Sequence, residues 1–270
     1  MDNKILATYD GFILDLDGTV YLGNELIPGA LETIEYLKAN NKKVLYLTNK
    51  PLETREQYAN KLTKLGIPTK PDEILTSSVV MAHYLNRQSS GPLVYVIGEQ
   101  PLIDELQLAG IKTIQQPELI EFAVDYVVVA FDRTFDYKKL NNGFQAIKKG
   151  ARFVATNGDR TCPVPGGEIP DCAAMIGALE GATGKKVEII VGKPHRLTIE
   201  AALSLLKVEK ERAIIIGDRI ETDILMGKNA GIASALVLTG ITKKDDFSKK
   251  GITYRPTYIL DSIKQILTAG

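Results

Sequence analysis

Short, continuously apolar runs alternate with longer amphipathic segments along the whole chain. The runs are Phe12–Leu14, Val44–Leu47, Val94–Ile97, Tyr126–Val129, Phe153–Ala155, Ile189–Val191, Ala213–Ile216 and Ala235–Leu238. Apolar runs this short, without polar alternation, suit strands covered on both faces, as in a parallel sheet. Between them, Pro28–Asn41, Arg55–Leu65, Tyr137–Lys149 and His195–Leu206 read as helices. Pro28 suits a first helical turn, and Gly66 and Gly150 suit helix ends. The pattern predicts an α/β fold.

Four runs lead into a polar residue of chemical interest at their C-terminal side. Asp15 follows the first, Thr48 the second, Lys193 lies just past Ile189–Val191, and Asp218 follows Ile216-Gly217. Open α/β sheets bind ligands beyond the carboxyl ends of their strands, so these residues are expected to meet in one place. The stretch from 80 to 185 has its own strand–helix alternation and none of the four. It is bounded by the polar segments Asn86–Gly91 and Gly181–Lys186. We read it as a second α/β domain, 80–185, inserted into a discontinuous first domain, 1–79 and 186–270. No internal repeat and no low-complexity tract stands out.

Composition narrows the function. The 33 basic and 33 acidic side chains balance, whereas a general nucleic-acid binder carries a basic surplus. No apolar run approaches the roughly 20 residues needed to cross a bilayer, and the acidic start of the chain does not read as a secretory signal. No nucleic-acid or membrane partner is expected. Cys162 and Cys172 are too few for a disulfide framework, so a reducing cytoplasmic setting is expected. With His83 and His195 they make four soft ligands without paired zinc spacing. A metal in this chain would be held by carboxylates, which suit magnesium.

Asp15-Leu16-Asp17-Gly18-Thr19 is the most informative segment. Two carboxylates two positions apart can divide the work of nucleophile and proton carrier. They also repel each other, and a bound cation would keep the attacking one ionised. Alone, the segment is equally a solvated turn. Thr48-Asn49 adds a hydroxyl and an amide that can bond phosphoryl oxygens, and Lys193 adds a compact cation. In Gly217-Asp218-Arg219-Ile220-Glu221-Thr222-Asp223, Asp218 suits magnesium and Asp223 suits a supporting place behind it. Together these residues have the chemistry of a phosphoryl-transfer site.

In that order the four segments resemble those of haloacid dehalogenase superfamily phosphatases, and more narrowly the NagD/AraL/para-nitrophenylphosphatase-like group. That group carries an α/β cap between its second and third motifs. The resemblance spans essentially the whole chain and includes Ala155-Thr156-Asn157-Gly158-Asp159, similar to a stretch of these caps. It implies a Rossmann-like parallel-sheet core and magnesium-dependent hydrolysis of small phosphomonoesters through an aspartyl-phosphate. Asp15 would attack phosphorus, and Asp17 would protonate the leaving oxygen and then activate water. Thr48, Asn49 and Lys193 would hold the phosphoryl group. Asp15, the Asp17 backbone carbonyl and Asp218 would hold Mg2+, with Asp223 behind them. The resemblance further implies substrate contacts from Asn157, Asp159 and Arg160, and dimerisation through the cap. One departure is Asn49-Lys50-Pro51, where Asn-Asn-Ser is often seen.

Sugar phosphates are the first substrate expectation, with small nucleotides and phosphoglycolate as alternatives. Two other functions compete: a phosphoacceptor signalling domain, and a phosphomutase or phosphotransferase of the same superfamily. Asp17, which would speed hydrolysis, and the large insertion argue against the first. Asp132-Arg133, at the end of an apolar run, is a weaker candidate for substrate contact, and Arg219 a candidate guide for anions. His195 reads as an early helix residue rather than a catalyst.

Overall fold

A computed structural model of the chain describes residues 4–115, 123–164, 166–243 and 255–268. It divides into two compact units: 1–48, 55–75 and 193–270 form one, and 49–54 with 76–192 the other.

The first unit begins with α1 (Lys4–Thr8), carries a small antiparallel pair, β2 (Tyr21–Leu22) and β3 (Glu25–Leu26), and is built on a six-stranded sheet. Its strands are β1 (Gly11–Asp15), β4 (Lys43–Thr48), β5 (Ile74–Thr76, whose last residue counts with the second unit), β13 (Ala213–Gly217), β14 (Ala233–Val237) and β15 (Tyr258–Leu260). They are ordered β15-β14-β13-β1-β4-β5. The pairs from β15 to β4 are parallel. Every residue of β1 and of β13 is buried, which is why both read as unbroken apolar runs. Phe12, Leu14, Val44, Tyr46, Ile214 and Ile216 share one core cluster with Ile34 and Leu37 of α2 (Ala30–Ala39) and with Tyr58 and Leu62 of α3 (Arg55–Lys64). Ile13, Leu45 and Ile215, also buried, alternate to the other face. On that side lie α8 (Arg196–Leu206), in contact with β4, and α9 (Leu225–Ala230), whose Gly227 comes close to Ile215.

Pro28 lies outside α2 rather than in its first turn. Gly29, at φ 87°, is the N-cap, a left-handed conformation that suits glycine, and the helix begins at Ala30. Gly66 and Gly150 do follow helix ends, α3 and α6 (Tyr137–Lys148) respectively, both at positive φ.

The second unit has a five-stranded, wholly parallel sheet. Its strands β6 (Leu93–Ile97), β7 (Lys112–Ile114), β8 (Tyr126–Val129), β9 (Arg152–Ala155) and β12 (Ile189–Ile190) are ordered β12-β9-β8-β6-β7. Tyr95, Ile97, Val127, Val129 and Phe153 pack with Ile147 of α6 and with Cys172, Met175, Ile176 and Leu179 of α7 (Cys172–Thr183). The run at 189–191, which the pattern assigned to the first domain, joins this sheet instead: Ile189 is in register with Val154. Lys193 therefore does not follow a strand of the first sheet. Helices α4 (Ser77–Gln88) and α5 (Gln100–Leu108) also belong to this unit, along with the antiparallel hairpin β10 (Thr161–Val164) and β11 (Gly167–Pro170). Among the described residues no helix is long and apolar enough to cross a membrane.

Candidate active site

Beyond β1 the chain turns tightly. The Leu16 carbonyl accepts the N–H groups of Thr19, Val20 and Tyr21, and Gly18 N–H donates to the Tyr21 carbonyl. Gly18 takes φ +83°, and a Cβ there would stand 2.7 Å from Asp218 Oδ2. Only glycine fits both constraints, so the Asp-Leu-Asp-Gly order follows from backbone geometry as much as from chemistry.

Sheet register brings the other residues to this turn. Asp15 is level with Leu47 of β4, and Leu14 with Ile216 of β13. Thr48 and Asp218 thus each stand one residue beyond the level of Asp15. The direction of strand order reverses at β1 and β13, where doubly wound sheets place their ligands. Asp218 is followed by a single wide turn, Ile220–Ile224, in which the chain makes π-type bonds. Such turns are frequent at functional sites. It brings Asp223, 1% exposed, back toward the sheet.

Lys193 joins the group from the segment before α8. Its Nζ lies 2.5 Å from Asp15 Oδ1 and 2.7 Å from Asp223 Oδ1, and all three residues are buried. Asp223 Oδ2 also accepts from Arg219 N–H at 3.3 Å and from Thr222 Oγ1 at 3.4 Å. The next residue but one, His195, caps α8, its Nδ1 accepting from Leu197 N–H.

Charge in this group is unbalanced. Oxygen atoms of Asp15, Asp218 and Asp223 all lie within 4.8 Å of one another, and one buried ammonium touches two of the three carboxylates. Burial pushes Asp15 well above the usual carboxylate range, a rise that the Lys193 ammonium opposes and the Asp223 and Asp218 carboxylates reinforce. Burial, then the Asp223 charge, pushes Asp218 up to about 6. Burial alone would pull Lys193 down, but the Asp15 and Asp223 carboxylates hold it above the usual lysine value. A divalent cation would relieve the surplus negative charge, and an all-oxygen donor set suits Mg2+. The residues present fit that ion.

The expected site residues thus fall into two sets. Asp15, Asp17, Thr48, Lys193, Asp218 and Asp223 belong to the first unit, Asn49, Asn157, Asp159 and Arg160 to the second. Asn49 Nδ2 donates to Asp159 Oδ2 at 3.0 Å, and its carbonyl accepts from Ser77 Oγ at 2.6 Å. Asn157, 1% exposed, spends its amide nitrogen on Asp159 Oδ2 and Asp171 Oδ1 and accepts from Thr156 Oγ1. Asp171 in turn caps α7. Asn157 is accordingly an internal tie of its loop, whereas Arg160 is exposed. Arg133 forms a two-pronged pair with Glu99, and the buried Asp132 is bonded to Lys139 and Thr134. Thr239, Gly240 and Ile241, which lie outside the four motif segments, also contact the Asp17–Gly18 turn and Asp218. Their signal was a Thr-Gly pair just past an apolar run.

The profile of haloacid dehalogenase-like hydrolases matches residues 12–112, and a second one for the same hydrolases matches 190–266. The sugar-phosphatase AraL of Bacillus subtilis is 42% identical over 269 residues, covering 97% of this chain and 96% of that protein. The crystal structure of a 4-nitrophenylphosphatase from Thermotoga maritima superposes with a TM-score of 0.91 at 33% identity, covering 98% of both chains. That of a glycerol phosphate phosphatase from Mycobacterium tuberculosis in complex with magnesium gives a TM-score of 0.89 at 30% identity, covering 97% of this chain and 77% of that one. With two profiles bracketing the site and a relative matched almost end to end, the chain belongs to the haloacid dehalogenase-like hydrolases, in the group of AraL and the nitrophenylphosphatases.

Proposed function

We propose that the protein is a Mg2+-dependent phosphatase of small phosphomonoesters, sugar phosphates first among them, working through an aspartyl-phosphate on Asp15. The observation that carries this reading is the buried ammonium of Lys193 shared by Asp15 and Asp223, beside Asp218, at the switch point of a parallel sheet. AraL supports the sugar-phosphate class. The 5'-nucleotidase YutF of Bacillus subtilis, 34% identical over 260 residues, keeps small nucleotides as the alternative.

In the first step an Asp15 carboxylate oxygen attacks phosphorus, and the bond from phosphorus to the substrate's ester oxygen breaks. Asp17, partly exposed two residues on, gives its proton to the departing alkoxide. In the second step Asp17 takes a proton from water, the oxygen attacks phosphorus, and the bond to Asp15 breaks, releasing inorganic phosphate. Lys193 and the Thr48 hydroxyl hold the phosphoryl oxygens, with Asn49 implied by the family pattern. Mg2+, held by Asp15, Asp218 and the Asp17 carbonyl, would neutralise charge on the nucleophile and the phosphoryl group. Asp223 keeps Lys193 in place. Arg160, exposed on its loop, is our candidate for contact with the organic part of the substrate. Cys162 and Cys172 both lie buried as thiols, in keeping with a cytoplasmic setting.

Phosphate release from a panel of sugar phosphates, nucleotides and 4-nitrophenyl phosphate tests the reading. Mg2+ should be required, a chelator should inactivate reversibly, and Ca2+ should replace Mg2+ poorly because its coordination is larger and looser. Turnover that survives the chelator, or none on any phosphomonoester, would overturn it. A radiolabelled phosphate that stays on the protein without release would favour a signalling phosphoacceptor instead.

A further inference from the structure

One stretch outside the four motif segments grips the same turn and the same carboxylate: Thr239-Gly240-Ile241-Thr242, which follows β14. Thr239 Oγ1 donates to the Gly18 carbonyl at 2.5 Å. Ile241 N–H donates to Asp218 Oδ2, and Thr242 N–H to the Asp218 carbonyl at 3.2 Å. Gly240 passes so close to Asp218 that a Cβ on it would collide with the carboxylate, and its Cα is 2.8 Å from where a Cβ on Gly18 would stand. Three of these four residues thus donate to two elements, around Gly18 and Asp218, that the chain separates by some two hundred positions.

We infer that this segment is a positioning clamp for the reaction, with Thr239 as the side chain that orients the Asp17–Gly18 turn against Asp218. The inference rests on the proposed function and deepens it. Asp17 sits in a turn closed by backbone bonds around the Leu16 carbonyl, and the next residue, Gly18, in left-handed conformation, is of the type with the widest intrinsic backbone freedom. Thr239 pins the Gly18 carbonyl from outside the turn, while the Gly18 N–H is held by the Tyr21 carbonyl, so the peptides on both sides of Gly18, including the one that follows Asp17, are fixed in rotation. A proton carrier has to stay within hydrogen-bond reach of the leaving oxygen, and a displacement of about 1 Å is enough to lose that reach. The adjoining Ile241 N–H aims the Asp218 carboxylate. One segment therefore sets the two halves of the site in a common frame. Thr239 touches no reacting atom and acts through the turn.

Thr239→Val keeps the shape and removes the hydroxyl, and Thr239→Ser restores it. Each should be compared with wild type in three ways: Tm without metal, the Mg2+ concentration that half-saturates the rise in Tm, and kcat on an alkyl phosphate and on 4-nitrophenyl phosphate. The Val variant should keep its metal-free Tm within a few degrees. It should need several-fold more Mg2+ and lose roughly 10- to 100-fold in kcat on the alkyl phosphate. The loss on 4-nitrophenyl phosphate should be smaller, because its leaving group needs less help from Asp17, and the Ser variant should recover both properties. Wild-type Mg2+ demand and kcat in the Val variant would overturn the clamp. So would an equal loss on both substrates with no change in Mg2+ demand, or a Ser variant as impaired as Val. If wild type releases no phosphate from either substrate, the phosphatase reading fails, while the Mg2+ titration of the Val variant still decides the clamp.

Discussion

Burial pushes the Asp15 carboxyl above the usual carboxylate range, and the Lys193 ammonium at 2.5 Å opposes that rise. The nucleophilic role proposed for it makes a sharp prediction. Asp15→Asn keeps the size and loses the attacking anion, so phosphate release should fall by about 10⁴-fold or more. Near-normal release would remove Asp15 from the mechanism. Asp17 differs in kind, being partly exposed and held by its turn. Asp17→Asn should slow phosphoenzyme formation from alkyl phosphates by roughly 10²- to 10⁴-fold and from 4-nitrophenyl phosphate by clearly less. Rapid-quench kinetics on both substrates checks this, and equal losses would count against proton transfer by Asp17.

At the level of elements, the described helices and strands are tied by bonds that can be removed one at a time. Asp136 caps α6, accepting from Lys139 N–H at 2.7 Å. Asp136→Ala should cost about 1 kcal/mol in urea unfolding, and Asp136→Asn much less. Glu99, just past β6, accepts from Arg133, just past β8, through both carboxylate oxygens. This bond holds the Glu99 carboxyl below its usual range. A carboxyl with a lowered folded pKa adds stability above its unfolded value, about 4.3, and loses that stability as pH falls through the folded value. Arg133 is more than half exposed, so the contribution is small, at most about 1 kcal/mol. The Tm difference between wild type and Glu99→Gln should therefore be present at pH 7 and vanish toward pH 3. A difference that persists undiminished in acid would assign it to packing instead of charge.

For the molecule as a whole, two parallel sheets carry separate cores, while the acidic group of the site concentrates negative charge in a chain that is neutral overall. Global stability should consequently respond to metal. An ion that binds only the folded protein stabilises it by about 2.7 kcal/mol at a hundredfold excess over Kd. Scanning calorimetry should show Tm rising with Mg2+ in wild type and little rise in Asp218→Ala. An undiminished rise in that variant would place the ion elsewhere.

Much of this was legible in the chain alone. Continuous apolar runs identified the buried parallel strands because burial on both faces leaves no room for polar alternation. The family pattern around Asp15, Asp17, Thr48, Lys193 and Asp218 was readable because each motif is local and stands next to a strand or helix signal. What required the tertiary structure was every pairing across long separations. Nothing near Ile189 says which sheet it joins, since a short apolar run fits either one and the choice falls to its partner, Val154. Asn157 has the polarity of a substrate contact, yet packing buries it and turns its amide toward Asp159 and Asp171. Thr239 and Ile241 carry no catalytic signature, and their importance lies in reaching Gly18 and Asp218. Residue type and local spacing determined which chemistry the chain contains. Only the pairing of distant strands, which brings β1, β13 and β14 side by side with the segment that follows β14, decided which groups hold that chemistry in place.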